Sequence, residues 1–247
     1  MNSTVTFYVA RHGETLLNHL HKAQGWADSP LTESGIQTAT QLGQQLKNVQ
    51  FSSAFSSDTS RALQTGKTIL TAQGQNELQV ITDKRLREWC LGCWEAENNS
   101  KFISSMMNEL QIQNDFSELN FRLPEVHEII YKSDTTGMVE PFHMITDRLE
   151  SFLKETGDHL IHLNNPNVLI VTHAFAIKTL MHLFSKEMLR KNLKSKMSIL
   201  FLLNGMVKVF LSLHDKPSKP LRLRAITRSW KYGAKFLNLF LIDTNAP

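Results

Sequence analysis

The stretch TVTFYVARHGETLLN, residues 4–18, poses the problem that the rest of the chain has to answer. Thr4 to Ala10 is rich in β-branched and aromatic residues and reads as a buried strand. It runs directly into Arg11 and His12, and then into Gly13. A strand bound for a core should not end on two polar side chains and a backbone kink unless something beyond its end needs them.

The polar loop that follows leads to SPLTESGIQTATQLGQQLKN, residues 29–48, which reads as a helix with Thr32 as N-cap. Ile36, Ala39, Leu42 and Leu46 recur there at helical spacing. FSSAFSS from Phe51 is a short strand. Asp58 then caps a helix over TSRALQTGKTILTAQ, whose apolar face is Ala62, Leu63, Ile69 and Leu70. Gln79 to Thr82 is another short strand. Residues 98–163 change character: KFISSMMNELQ, ELNFRLPEVHEIIYK and PFHMITDRLESFLKETGDHLIHL are helical patterns with no strong strand between them. The first two read as an insertion, a cap over about residues 98–140 with Phe102, Met106 and Met107 in its core, and the third as a layer helix. NVLIVTH from Asn167 is the clearest buried strand, and AFAIKTLMHLFSK the helix after it. SILFLL and MVKVFLSL flank Asn204-Gly205, the strongest short hairpin signal. Strands alternating with helices predict an α/β fold, a three-layer sandwich with a mostly parallel central sheet, an antiparallel edge hairpin and a helical cap insertion.

A chain of 247 residues, 41% hydrophobic and 20% charged, belongs with globular proteins rather than disordered or fibrous ones. The start, MNSTVTFYVARHG, shows no basic region followed by an apolar run. The apolar stretch from Ser198 is too short and too interrupted, by Asn204, Gly205 and Lys208, to span a bilayer. The expectation is a soluble cytoplasmic protein. The formal charge of +4 is uneven: seven basic residues against Asp243 give residues 216–247 a charge of +6, leaving −2 for the first 215. The expected organisation is one domain over residues 1–215 and a basic extension over 216–247. A solvated or packed surface is the main reading of that extension, and a nucleic-acid or membrane contact the minor one. Cys90 and Cys93 form a C-x-x-C pair, which can be redox-active or half of a zinc site. No second ligand pair of convincing spacing accompanies them, so two reduced thiols in a loop are expected. His19 and His21 raise a metal site only weakly and read as solvent-facing or rim residues.

In open α/β sheets, ligands bind outside the carboxyl ends of the strands. Three strand ends here share a chemical theme. The first carries Arg11 and His12, the second Ser57, Asp58 and then Arg61, and the NVLIVT strand His173 at a helix start. Two arginines and two histidines would then converge on one crevice, beside helix N-termini with unpaired N–H groups. Such a crevice suits a compact anion with several oxygens, and guanidinium groups match phosphate. A neutral imidazole among them can attack phosphorus, which makes His12 the candidate nucleophile and Arg11, Arg61 and His173 its clamp, with no metal or cofactor required. The leaving alkoxide needs a proton, for which Glu88 in LREWCLGCWE is the candidate acid; a surface ion pair with Lys84, Arg85 or Arg87 is its bland alternative.

Five segments, R-H-G-E-T (11–15), G-W-A-D-S-P-L-T-E-S-G (25–35), S-S-D-T-S-R-A-L-Q-T (56–65), L-R-E-W-C-L-G-C-W-E (86–95) and V-T-H-A (171–174), occur in this order. Together they resemble the histidine phosphatase superfamily, in its branch similar to cofactor-dependent phosphoglycerate mutase. The resemblance covers about residues 4–95 and 166–213. It implies a phosphohistidine intermediate on His12, a phosphate pocket of Arg11, Arg61 and His173, and Glu88 as proton donor. It also implies that Asn18, the Gln24-Gly25 backbone and the amide of Ala174 contact phosphate or substrate. Cys93 and Ala96 depart from the family pattern, Ala96 at a place where glycine is common. The activity implied is that of a metal-independent phosphomonoester phosphatase. The alternatives are mutase-type phosphoryl transfer and a non-catalytic phospho-ligand binder. The expected partner is a small phosphorylated substrate, and a homodimer is an admitted assembly.

Overall fold

Alternation along two strands decides how the layers form. In the computed structural model, which describes residues 4–113, 115–189, 195–202 and 206–213, β1 (Thr4–Arg11) buries Phe7 and Val9 on one face and Tyr8 and Ala10 on the other. β4 (Asn167–Thr172) does the same with Val168 and Ile170 against Leu169 and Val171. Strands buried on both faces require a cover on each side, and that is a three-layer sandwich. The first face is covered by α4 (Asn99–Glu109), α5 (Leu123–Ser133), α6 (Phe142–Leu160) and α7 (Ala174–Leu189) through Met106, Ile130, Leu149, Phe152 and Ile177. The second is covered by α2 (Glu33–Gln45) and α3 (Ser60–Gln73) through Ala39, Ala62, Ile69 and Leu70. A single-turn helix, α1 (Leu16–His19), follows β1.

The sheet runs β3-β2-β4-β1-β6-β5, with β2 (Phe51–Ser56) and β3 (Val80–Thr82) on one side of β4. β3, β2, β4 and β1 are mutually parallel, and β5 (Ser195–Leu202) and β6 (Met206–Leu213) form the antiparallel hairpin at the other edge. The expected architecture is therefore present. The Asn204-Gly205 turn and the basic extension 216–247 lie outside the described residues. Among the described residues no helix is long and apolar enough to cross a membrane.

Three local expectations change. The N-cap of α3 is Thr59, not Asp58; its side chain makes no capping bond, and the Ser60 N–H donates instead to Asp28 at 2.6 Å. Asp58 is drawn away by Arg87, which grips both its oxygens at 2.7 and 2.6 Å, a charged fork that outcompetes a single cap bond. The second helical pattern of the insertion is split into a 3₁₀ turn, Phe116–Asn120, and α5, because Pro124 fits only a first helical turn. The insertion also does not build a core of its own. Phe102, Met106, Leu123, Val126 and Ile130 join the cluster that holds α6 and α7.

Ala96 has φ 59°, in the left-handed region that disfavours a Cβ. Relief of about 1 kcal/mol of strain, less the entropy glycine adds to the unfolded chain, predicts that Ala96→Gly stabilises by about 0.5 kcal/mol. Ala96→Val should destabilise by more than about 1 kcal/mol, because a β-branched side chain is still less tolerant there. Urea midpoints of the three proteins check both signs.

Candidate active site

The ladder between β1 and β4 ends at the pair Arg11↔Thr172, and the His12 N–H then donates to the Thr172 carbonyl at 3.0 Å. The next residues, His12 and His173, thus leave the sheet side by side, with ring centroids 5.1 Å apart. From the neighbouring strand, Ser57 N–H donates to Val171 O at 2.9 Å, which sets the start of α3 and Arg61 at the same edge. Gly13 gives the turn after His12 its room: a Cβ there would lie 2.5 Å from the Gly35 carbonyl oxygen.

Hydrogen bonds assign the tautomers of both rings. His12 Nδ1 lies 2.8 Å from the Gly13 carbonyl, which can only accept, so Nδ1 carries the hydrogen and Nε2 keeps its lone pair. His173 Nδ1 lies 3.1 Å from Arg61 Nη2, which can only donate, so the hydrogen of His173 is on Nε2. Both imidazoles are held well below the ordinary histidine pKa. For His12 burial is the main cause, followed by the charges of Arg11 and Arg61; for His173 it is burial, then His12 and Arg61. The result is one neutral nucleophilic nitrogen beside one neutral N–H donor.

Arg61 is fully buried and heavily engaged. Nη1 donates to Ala27 O at 2.8 Å and pairs with Asp28 at 3.0 Å, while Nη2 donates to Gly25 O at 2.6 Å. Asp28 supplies the counter-charge a buried guanidinium requires. Burial works to raise the Asp28 carboxyl, but its bonds to Ser60 and Arg61 overturn this and hold it below the usual range. Among the described residues, Arg61 Nε and His173 Nε2 are buried donors with no hydrogen-bond partner. Two such donors at one strand edge fit an anionic oxygen acceptor.

Glu88 is buried, not part of a surface ion pair. Its Oε1 accepts from the N–H groups of Trp89 at 3.0 Å and Ala176 at 2.9 Å, and its Oε2 from Phe175 at 2.9 Å. The carboxylate thus sits on the N-terminal turn of α7. Burial raises its pKa, against the opposing pull of those three N–H groups and of Arg11. Arg11 is the last residue of β1, and its charge acts on His12, Glu88 and His173.

The remaining expected contacts lie in the loop after His12, where their polar groups bind that loop. Asn18 forms a reciprocal capping box with Thr15, Gln24 bonds Thr15 and Ser29, and the Gly25 N–H donates to Glu95. Ala174 opens α7. His19 and His21 are exposed, and among the described residues no cluster of three or more His, Cys, Asp or Glu could hold a metal ion. Cys90 and Cys93 are free thiols, the first buried and the second exposed.

Two residues escaped the sequence reading. Glu95 accepts from the N–H groups of Gly25, Trp26, Ala27 and Leu91, at 2.7–3.0 Å, and so stitches the loop beneath Arg61 to the loop that carries Glu88. Its place in the L-R-E-W-C-L-G-C-W-E segment was the available signal. Lys178, one turn into α7, sets its ammonium 5.1 Å over the Phe175 ring; burial and then Arg11 push its pKa down to about 8, against Glu88. Nothing local in the sequence marked it.

The strand edge thus gathers a neutral imidazole with an open lone pair and two buried donors without a partner, an arrangement that suits a compact anion. The sequence pattern of the histidine phosphatase superfamily (branch 1) matches residues 7–198, and the chain belongs to that superfamily. A protein of Yersinia pestis (strain Pestoides F) named "Probable phosphoglycerate mutase GpmB" is 46% identical over 88 residues. That match spans 36% of this chain and 40% of the relative's length. The crystal structure of phosphoglycerate mutase from Bacillus anthracis str. Sterne superposes with a TM-score of 0.70 at 32% identity, covering 83% of this chain and 91% of its own. Phosphoserine phosphatase from Entamoeba histolytica, solved in complex with 3-phosphoglyceric acid, gives 0.54 at 26% identity, covering 80% and 91%.

Removing the Glu95 carboxylate leaves four N–H groups without their acceptor. Glu95→Ala is expected to lose about 2–3 kcal/mol of stability in denaturant unfolding. It should also weaken inorganic phosphate binding several-fold by calorimetry, since Gly25 and Ala27 carry the carbonyls that hold Arg61.

Proposed function

We propose that the protein is a phosphomonoester phosphatase that works through a phosphohistidine on His12. The observation that carries the reading is the free lone pair of His12 Nε2 beside two buried, unpartnered donors, His173 Nε2–H and Arg61 Nε–H. Donors fixed before the reaction stabilise charge on the phosphoryl oxygens as it develops. In the first step Nε2 forms a bond to phosphorus and the P–O bond to the alcohol breaks. Glu88 gives its proton to the departing alkoxide. Oε2, which accepts one N–H where Oε1 accepts two, is the oxygen suited to hold that proton. In the second step the Glu88 carboxylate takes a proton from water, the water oxygen bonds phosphorus, and the P–N electron pair returns to His12. No metal or cofactor enters this sequence. The substrate is a small phosphorylated molecule, and the free thiols accord with a cytoplasmic setting.

Relatives named as phosphoglycerate mutases favour a second reading, in which the phosphoryl group returns to another hydroxyl. Product analysis separates the two. Hydrolysis predicts inorganic phosphate from an alkyl phosphate, unaffected by a chelator and without a primer. Isomerised product that requires a bisphosphate primer would establish the mutase. His12→Ala is expected to abolish either activity, by at least about 10³-fold, together with the acid-labile phosphoenzyme seen on quenching. Activity that survives this change refutes the mechanism.

The two pKa shifts give a bell-shaped profile of kcat/KM. Since His12 is shifted down, its lone pair is lost only as pH falls well below the ordinary histidine range. Since Glu88 is shifted up, its proton is retained above the ordinary carboxylate range and is lost as pH rises through the shifted value. Glu88→Gln is expected to remove the alkaline limb and to slow the cleavage of alkyl phosphates by about 10²-fold or more.

A further inference from the structure

Glu88 stands in an irregular stretch between two 3₁₀ turns, Lys84–Leu86 and Gly92–Trp94, so no helix or strand fixes it. Its place depends on what holds the backbone before it. Thr172 Oγ1 donates to the Leu86 carbonyl, and Arg148, on α6, makes most of the other bonds. Its Nη1 donates to the carbonyls of Arg85 and Arg87, each at 2.7 Å, and its Nη2 to the carbonyl of Glu88 at 3.0 Å. The other edge of the guanidinium meets Glu140 bidentately, Nε to Oε1 and Nη2 to Oε2, both at 3.1 Å. All five N–H donors of the arginine are thereby taken, in a pair whose side chains are only 12% and 17% exposed. A lysine, with three donors on one atom, cannot reproduce this fork.

We infer that Arg148 is a positioning residue for the proton donor: it fixes the 85–88 backbone so that the Glu88 carboxyl meets the leaving oxygen, while phosphate binding and attack by His12 do not depend on it. The inference rests on the reading of Glu88 as the acid. It also gives Glu140, at the end of the insertion, an indirect part in the chemistry, because Glu140 orients the arginine.

A residue that merely supports the fold would affect all substrates alike, whereas one that aims an acid matters only when the leaving group needs a proton. The test is kcat/KM, which reports the first step, measured on the full chain with phosphate esters whose leaving groups span pKa values from about 4, as in dinitrophenyl phosphate, to about 15, as in an alkyl phosphate. For Arg148→Lys, the alkyl ester is expected to fall by about 10²-fold, and dinitrophenyl phosphate and the inhibition constant of inorganic phosphate to change by less than about 3-fold. An equal loss across the series, or a parallel loss of phosphate affinity, overturns the inference. Should Arg148→Lys not fold, Glu140→Gln decides instead. It keeps the three carbonyl bonds but loosens the far edge, and is expected to give the same selectivity at several-fold size; a uniform loss or no loss refutes it. Glu88→Gln run in parallel isolates the underlying reading: if it matches the parent protein across the series, Glu88 is not the acid, whatever Arg148 does.

Discussion

The parallel pairing of β1 with β4 is the constraint on which the site depends. Its register ends at Arg11 and Thr172, so the two histidines that follow must emerge as neighbours, whatever the loops beyond them do. Both strands bury side chains on both faces, so slipping the register by one residue would exchange two filled cores at once. His12 is thus placed by backbone hydrogen bonds and core volume rather than by the loops around it.

Around that edge the protein solves a problem of buried charge. Arg61 is out of water, and its terminal nitrogens are matched by Asp28, two carbonyls and the acceptor nitrogen of His173. Asp28 also accepts the Ser60 N–H, so one carboxylate serves both the guanidinium and the helix that presents it. Glu95 performs a similar service with four backbone donors. Asp28 meets Arg61 through Nη1 and leaves the arginine's Nε without a partner.

Much of this was legible in the chain. Phe7 to Ala10 and Val168 to Val171 read as buried strands because β-branched and apolar residues run unbroken there, and the polar residues at their ends announced a crevice. The five ordered segments pointed to His12, Arg61, His173 and Glu88 as candidates, and the fold brings the two histidines and Arg61 to one strand edge, with Glu88 on the first turn of the helix that follows His173. Asp58 was misread because N-cap preference is a local rule, and it yielded to an arginine 29 residues away. Arg148 left no trace in the sequence. On α6 it looks like any polar residue of an amphipathic helix, and only the folded chain brings it to the carbonyls of residues 85, 87 and 88. The insertion was recognised by its helices, but its fusion with the α6–α7 core rests on contacts that periodicity does not encode.

The first turn of α7 is completed from within the chain, because the Glu88 side chain accepts the N–H groups of Phe175 and Ala176. The helix end thus needs no borrowed ligand to satisfy those two donors. An anion that enters the cleft finds them occupied and depends on the donors that remain, so one side chain both closes a helix and narrows the choice of what can hold a guest.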